Sequence, residues 1–357
     1  MKSVLKKSLI CFLLIFSNLL IAREGRRDRE GKVDAWEMTE YVWNLGMAAS
    51  CDIGPEKNPR AFFAHFAPDN ALDENKYKAI KRGDIIWIQC RFIDAFNKHV
   101  LPYVEHPFVL VINDGDESFP SDCGNDFNIE EFLRNDKIIH VFAQNNDYCG
   151  NSSKVSHIPI GMDFHTIAYK GVSGGWGERG SPKQQEEVLK NLLKKFPPTY
   201  DRKLRAFVDF QLSDTMRAGH KRYLQFGEDR TTIFQRLLPT GLIDYSGFMK
   251  RSTLWETKGH YAFSICPFGN GLDTHRVWED LVLGCIAIVK SSTLDPMFEG
   301  LPVVIVQDWS EITQSNLEKW VKEYGDAFTN PLYREKLTNQ YWLEKIHSMA
   351  YPYKTSG

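Results

Sequence analysis

The sequence holds no pair of cysteines at CxxC spacing, which removes the usual signature of a zinc site. It also lacks a charge excess: 44 basic against 46 acidic residues give a net charge of −2, without the basic footprint of a nucleic-acid binder. No internal repeat and no long low-complexity segment interrupts it. The apolar run over residues 8–22 is shorter than the ~20 residues that span a bilayer comfortably. What is present is ordinary globular composition, 43% hydrophobic and 25% charged over 357 residues. That length exceeds one α/β core of usual size, so two domains are expected.

Lys2, Lys6 and Lys7 precede the apolar run, so residues 1–22 read as a secretory signal. Cleavage after Ala22 is the first expectation, although Leu20 fits the cleavage pattern poorly; the second is an uncleaved signal-anchor with the bulk of the chain in the lumen. Residues 23–32 form a charged stem. The expected location is the secretory pathway (Golgi or ER lumen in a eukaryote), as a secreted or single-pass type II protein. Asn151-Ser152-Ser153 is a glycosylation acceptor. Cys11 lies in the signal. Cys123 and Cys149 sit in loop-like sequence and are the expected disulfide; Cys90, Cys266 and Cys285 sit in apolar runs and read as core residues.

Residues 84–90, 107–113, 137–143 and 155–160 read as strands, among helices at 36–47, 93–104 and 129–134. Residues 169–182 are a loop with five glycines. Trp176 within it is either a lid over a cleft or, as preferred here, a pin holding the loop to the surface. A helix follows at 183–196. A second series starts with a strand at 203–210, continues through helices at 231–238 and 252–260, and ends with a strand at 302–306 and helices at 314–324 and 333–349. Alternating strands and helices predict parallel sheets. Two halves joined near residues 165–200 leave a cleft, where ligands bind.

The chain is organised around residues 261–288. A strand at 261–266 leads to a loop with Gly269 and Gly271, then to a helix that Asp273 or Thr274 can cap and Gly284 stops, then to a buried strand at 285–289. Open α/β sheets bind ligands at this carboxyl edge. Arg276 and Glu279 share one face of the first helical turn, where the backbone N–H groups favour an anion. The arginine supplies a fork for phosphate and the glutamate an acceptor for sugar hydroxyls. The plainer reading of the pair is a surface salt bridge.

Three blocks carry a family likeness. They are Ile112-Asn113-Asp114-Gly115-Asp116-Glu117-Ser118; Phe142-Ala143-Gln144-Asn145 with Ile158-Pro159-Ile160-Gly161-Met162-Asp163; and Ser264-Ile265-Cys266-Pro267-Phe268-Gly269-Asn270-Gly271 running into Asp273-Thr274-His275-Arg276-Val277-Trp278-Glu279. On these the chain resembles exostosin-like glycosyltransferases of the GT-B fold, over roughly residues 80–310. The family's longer acceptor-side insertions are not evident.

The resemblance implies an α/β protein with two Rossmann-like domains facing a cleft. Residues 33–168 would be the acceptor domain, 169–200 a linker and helix, 201–330 the nucleotide-sugar donor domain, and 331–357 a closing helix and tail. It implies glycosyl transfer from a nucleotide-sugar to a glycan or glycoprotein, inverting and metal-independent, with no cofactor beyond the co-substrate. Arg276 would contact the diphosphate and Glu279 the ribose or sugar. Gly269 and Gly271 would let the backbone approach the donor, and Asp273 and Thr274 would cap the helix or reach a phosphate. Lys221 and Arg222 are a second pair of phosphate ligands or, equally, a solvated helix face.

Breakdown of the donor places negative charge on the leaving diphosphate, which cations and a helix N-terminus stabilise. Deprotonating the acceptor needs a base. Asp114, Asp116 and Asp163 follow first-half strands, and Asp116 is the candidate. Asp114-Gly115-Asp116 also matches an Asp-x-Asp metal motif, which a glycine turn explains equally well; no bound metal is expected. His275 would line the donor pocket. Two other functions stay open: a non-catalytic glycan-binding relative, and another nucleotide-sugar enzyme such as an epimerase.

Overall fold

A computed structural model describes residues 38–54, 79–169, 176–212 and 229–354. The signal segment, the charged stem, Lys221 and Arg222 lie outside the described residues. Both sheets of the fold belong to one compact unit, Ala35–Gly357.

The first sheet is parallel, with β1 (Ile85–Ile88), β2 (Phe108–Ile112), β3 (Ile138–Ala143) and β4 (Val155–His157) side by side in that order. Every residue of β2, Phe-Val-Leu-Val-Ile, is buried, because a parallel sheet is covered on both faces. Strand alternation divides these side chains. Ile86, Ile88, Leu110 and Ile112 join Ile93 and Phe96 of α2 (Ile93–His99) and Phe132 of α3 (Ile129–Arg134). Ile85, Trp87, Val109 and Val111 face a second core that also holds Leu45 and Met47 of α1 (Asn44–Ala49).

After α4 (Phe164–Tyr169) comes α5 (Pro182–Leu193). Ser181 and Gln184 close a capping box at its start, with Pro182 at the first helical position. The second sheet is also parallel, in the order β6-β5-β7-β8-β9. Its strands are β5 (Lys203–Val208), β6 (Ile243–Tyr245), β7 (Tyr261–Ile265), β8 (Ile286–Lys290) and β9 (Val303–Val306). Among them run α6 (Arg230–Leu237), α7 (Arg251–Lys258) and α8 (His275–Leu283); α9 (Gln314–Tyr324), α10 (Pro331–Glu335) and α11 (Asn339–Lys354) close the chain. The expected α/β architecture with two parallel sheets is the observed one.

The two sheets share a core. Ala287, Val289 and Val303 of the second sheet belong to the same cluster as Trp87, Val109 and Val111 of the first. Although it follows the second sheet, α11 returns to lie against β1, β2 and β3. Trp342 meets Trp278 of α8 edge to face at 6.2 Å.

Four local expectations are corrected. Of the helix expected at 36–47, residues 38–43 are not helical and the helix starts at Asn44, because Tyr41 and Trp43 are extended and bridge to Thr338 and Gly161; residues 36 and 37 lie outside the described residues. At Gly161, with φ +68°, an added Cβ would lie 2.2 Å from the Val42 carbonyl, so only glycine fits that crossing. The helix expected at 93–104 changes to a 3-10 turn at Leu101–Tyr103, which contains Pro102. The helix expected at 333–349 is two helices, α10 and α11. Strand β6 was not foreseen, since its three residues include Asp244 and make no apolar run. Trp176 packs on Phe248 at 5.1 Å, and its carbonyl accepts from Arg251 N at 2.8 Å, the contacts of a pin.

Candidate functional site

The second sheet changes direction at β5. The chain leaves β5 toward β6 on one side and leaves β7 toward β8 on the other, so the loops after β5 and β7 diverge and frame a crevice. Asp209 and Phe210 follow β5; residues 266–274 follow β7. Helix α8 then starts at the crevice with Thr274 as N-cap, and no side chain caps it. It ends at Gly284, whose φ of +79° makes the left-handed stop expected there.

Arg276, in the first turn of α8, donates from Nε to Asp209 Oδ1. Its two terminal nitrogens make no hydrogen bond among the described residues. Its guanidinium carbon is 5.8 Å from the centre of the Phe210 ring, and that of Arg230 is 5.9 Å from the same ring. Arg230 Nε holds the carbonyl of Phe268 at 2.9 Å, just before Gly269. Sequence reading missed Arg230. Its place right after Asp229, the N-cap of the helix that follows β5, was the available signal.

Behind Arg276 lies a buried ionic chain. Lys258, fully buried, bonds Asp209 Oδ2 at 3.0 Å and pairs with Asp280 Oδ1. Asp280 Oδ2 accepts from Cys266 Sγ at 3.3 Å. Burial raises Asp209 and the Arg276 and Lys258 cations lower it further, leaving its carboxyl well below the usual carboxylate range. Asp280 moves up, because burial outweighs Lys258.

A second chain runs through Glu279, which is 5% exposed. Its Oε1 accepts from Arg251 Nη1 at 2.7 Å and its Oε2 from Trp255 Nε1 at 3.3 Å. Both carboxylate oxygens are thus engaged from α7, and Glu279 is an internal ion-pair partner rather than an open acceptor for donor hydroxyls. Arg251 continues to Asp163 Oδ2 at 2.6 Å, and His165 Nδ1 faces Asp163 Oδ1 at 3.1 Å. His275 Nδ1 lies 2.6 Å from the Gly161 carbonyl. A carbonyl only accepts, so Nδ1 carries a proton. Asp163, His165 and His275 bring three ligand atoms within 4.8 Å of one another, a donor set able to hold a divalent cation. The guanidinium on Asp163 opposes one by placing a positive charge beside the same carboxylate.

The first sheet meets this region with amides. Asn145, 1% exposed and at φ +51°, follows β3. Its Nδ2 donates to the carbonyls of Gly115 at 3.2 Å and Glu117 at 3.4 Å, and its Oδ1 accepts from Asp273 N at 2.8 Å. An added Cβ at Gly271 would lie 2.6 Å from Asn145 Nδ2, so Gly271 makes room for Asn145 rather than for a donor. Asp273 is likewise structural: it accepts from Ile160 N at 2.7 Å and from Trp278 Nε1 at 2.9 Å. Burial pushes its carboxyl up to about 6. At Gly269 an added Cβ would meet Thr274 Cγ2 at 3.2 Å, the helix start itself. Thr274 Oγ1 is buried without a hydrogen-bond partner among the described residues. Asp116 is exposed, and its Oδ2 accepts from Asn270 Nδ2 at 3.2 Å, between the two glycines. Asp116, Asn270 and the start of α8 therefore meet at one place, while Arg222 lies outside the described residues.

No protein-family model matches the chain, and no curated protein matches it. Solved structures are similar at a distance. A UDP-forming α,α-trehalose-phosphate synthase from Burkholderia xenovorans is 11% identical, with 84% of this chain and 81% of that one covered and a TM-score of 0.42. The catalytic domain of starch synthase IV from Arabidopsis thaliana, bound to ADP and acarbose, is 13% identical, with 82% and 77% covered and a TM-score of 0.33. HepE from Anabaena in complex with UDP-glucose is 14% identical, with 75% and 77% covered and a TM-score of 0.35. Likenesses this distant say nothing of individual residues or of chemistry.

Proposed function

We propose that this chain is a nucleotide-sugar-dependent glycosyltransferase, similar to the exostosin-like enzymes, acting on a glycan or glycoprotein in the secretory pathway. The observation that carries this reading is the posture of Arg276. Asp209 takes its Nε and so fixes the guanidinium plane, leaving the two terminal nitrogens beside an uncapped helix start at the crevice of the second sheet. That is a fork and a set of backbone donors for a diphosphate. As the sugar–oxygen bond breaks, the charge gathering on the diphosphate meets cations already in position. Arg230 lies against the same Phe210 ring as Arg276 and shares that task.

Asp116 comes from the opposite sheet to the glycine loop, where an acceptor hydroxyl would approach, and it is the proposed base. The transfer is inverting and needs no metal in this reading. Glu279 acts through Arg251, holding α7 against α8 rather than touching the donor. One observation favours a second reading, glycan binding without turnover: the glutamate assigned to the donor hydroxyls is sealed.

The test is thermal unfolding of the full chain with a panel of nucleoside diphosphates, with and without manganese, followed by a transfer assay. A ligand at a hundred times its Kd stabilises by ~2.7 kcal/mol. Stabilisation by one nucleotide, independent of manganese and lost in Arg276→Ala, is expected. A shift without turnover on any acceptor selects the binding reading. No shift with any nucleotide sinks the donor site.

A further inference from the structure

The sulfurs of Cys90 and Cys123 lie 3.0 Å apart, both side chains buried, although the residues are 33 positions apart. That is about 1 Å more than a disulfide bond of ~2.05 Å. The other described thiols each lie against an oxygen: Cys51 Sγ with the Met47 carbonyl at 3.5 Å, Cys149 with Asp147 O at 3.4 Å, Cys266 with Asp280, and Cys285 with Lys258 O at 3.3 Å. Cys149, the partner expected from sequence, is exposed, whereas Cys123 points into the core of the first sheet.

The surroundings hold the two thiols in register. Cys90 directly follows Gln89 at the carboxyl end of β1 and opens a 3-10 turn. Its Sγ also reaches the Ser118 carbonyl at 3.4 Å. Cys123 closes a tight turn in which its N–H bonds the Pro120 carbonyl at 3.0 Å and Ser118 N bonds Asp122 Oδ2 at 2.7 Å. Phe119 in turn pairs with the end of β3, donating to Asn145 O at 3.1 Å. The turn is therefore fixed on its other side, and little movement separates the thiols from bonding distance.

We propose that Cys90 and Cys123 form a disulfide in the mature protein. It staples the segment after β2, which carries Asp116 and the carbonyls that hold Asn145, to the end of β1. The oxidant is a disulfide-bearing thiol reagent such as oxidised glutathione. One S–S bond forms between Cys90 and Cys123, the oxidant's S–S bond breaks, and its two sulfurs leave as thiols carrying the two protons and two electrons. Burial, with Cys90 beside it, pushes the Cys123 thiol well above its ordinary value. Thiolate attack is then slow once the turn has closed, so the bond forms while the chain folds.

The test refolds the full reduced chain in a buffer of reduced and oxidised glutathione, denatures it without reductant, blocks free thiols and maps the peptides by mass spectrometry. The expected result is one peptide pair joined through Cys90 and Cys123, with Cys11, Cys51, Cys149, Cys266 and Cys285 blocked. Cys90 and Cys123 both blocked, or Cys123 joined to Cys149, would overturn the proposal. A second measurement does not rely on mapping. Reductant should lower the melting temperature of the parent by roughly 5–10 °C, the scale of a disulfide closing a loop of this length. The Cys90→Ser/Cys123→Ser double variant should show no such dependence; an equal reductant effect in that variant would also overturn it.

Discussion

The two sheet edges that meet at the site are built from different chemistry. The first is made of amides: Asn44, Gln89, Asn113, Gln144, Asn145 and Asn146 are all buried there. The second is made of charges: Arg251, Lys258, Glu279 and Asp280 are buried behind Arg276. The amides carry no charge and offer both donors and acceptors, which suits a polyhydroxyl acceptor. A charged edge fixes a guanidinium before the ligand arrives, which suits a diphosphate. The two differ in cost. An amide left without its partner loses ~1–3 kcal/mol, whereas an ion left unpaired in the interior loses ~3–5 kcal/mol.

The largest effect should therefore come from the second edge. Lys258→Met leaves Asp209 and Asp280 facing each other without their shared cation. We expect a loss of ~3–5 kcal/mol in urea unfolding. A loss under ~1 kcal/mol would mean that the charges are not acting as buried ions, and the contrast between the edges would collapse. Next is Arg276→Ala. It should cost about two orders of magnitude in transfer rate, ~3 kcal/mol, in a protein that stays folded. Arg276→Lys, which has no Nε to give Asp209 and no fork, should recover little of that rate. Full recovery would show that charge alone is needed and that Asp209 positions nothing.

The first edge should respond more mildly, and through contact rather than charge. Gly271→Ala drives a methyl into Asn145 Nδ2 and should cost ~1–3 kcal/mol. Asn145→Ala should cost ~1–3 kcal/mol by leaving the N–H of Asp273 unpaired. If the two edges touch where described, the double variant costs less than the sum, because the second change makes room for the first. Additive losses would separate them.

These pairings divide sharply in how far the sequence could show them. The period and the stop glycine of residues 261–288 gave α8 its place, and Arg276 its place in the first turn. Helical spacing put Glu279 one turn from Arg276. What it could not show is that α8 is buried almost all round, Glu279 and Asp280 included. A polar residue in a helix reads as solvated unless its partner is known, and the partners are distant in sequence. Lys258 lies 49 positions from Asp209, and Arg251 lies 88 from Asp163 and 28 from Glu279. Gly271 misled for a related reason. A glycine in a loop at a sheet edge invites a ligand, but here a side chain from the other sheet takes the space. Strands β1, β2 and β3 were legible because burial on both faces leaves a nearly continuous apolar run, and β6 was not, because it has none.

The smallest effect separates the edges by the sign of a titration. Asp114 belongs to the amide edge: Asn44 Nδ2 donates to its Oδ1 at 2.9 Å and Gln89 Nε2 to its Oδ2 at 2.9 Å. Burial wins over these neutral donors and raises its carboxyl to about 6. Asp209 belongs to the ionic edge, where Arg276 and Lys258 hold its carboxyl low. For Asp114 the folded chain binds a proton that the unfolded chain has released, so its stability term is full below about pH 4 and is lost as pH rises through about 6. For Asp209 the sign is opposite: its term is full above about pH 4 and is lost as pH falls below it. Asp273, whose carboxyl burial also raises to about 6, adds to the same limb, so urea midpoints measured from pH 3 to pH 8 should show a decline between about pH 4 and 6 that becomes shallower, without vanishing, in Asp114→Asn. Asparagine tolerates the φ of +64° at that position, so the backbone is not the variable. The loss on the acid side should instead shrink in Asp209→Asn. If both variants altered the same limb, the two carboxylates would share one environment, and the division into an amide edge and an ionic edge would fail at its most local point.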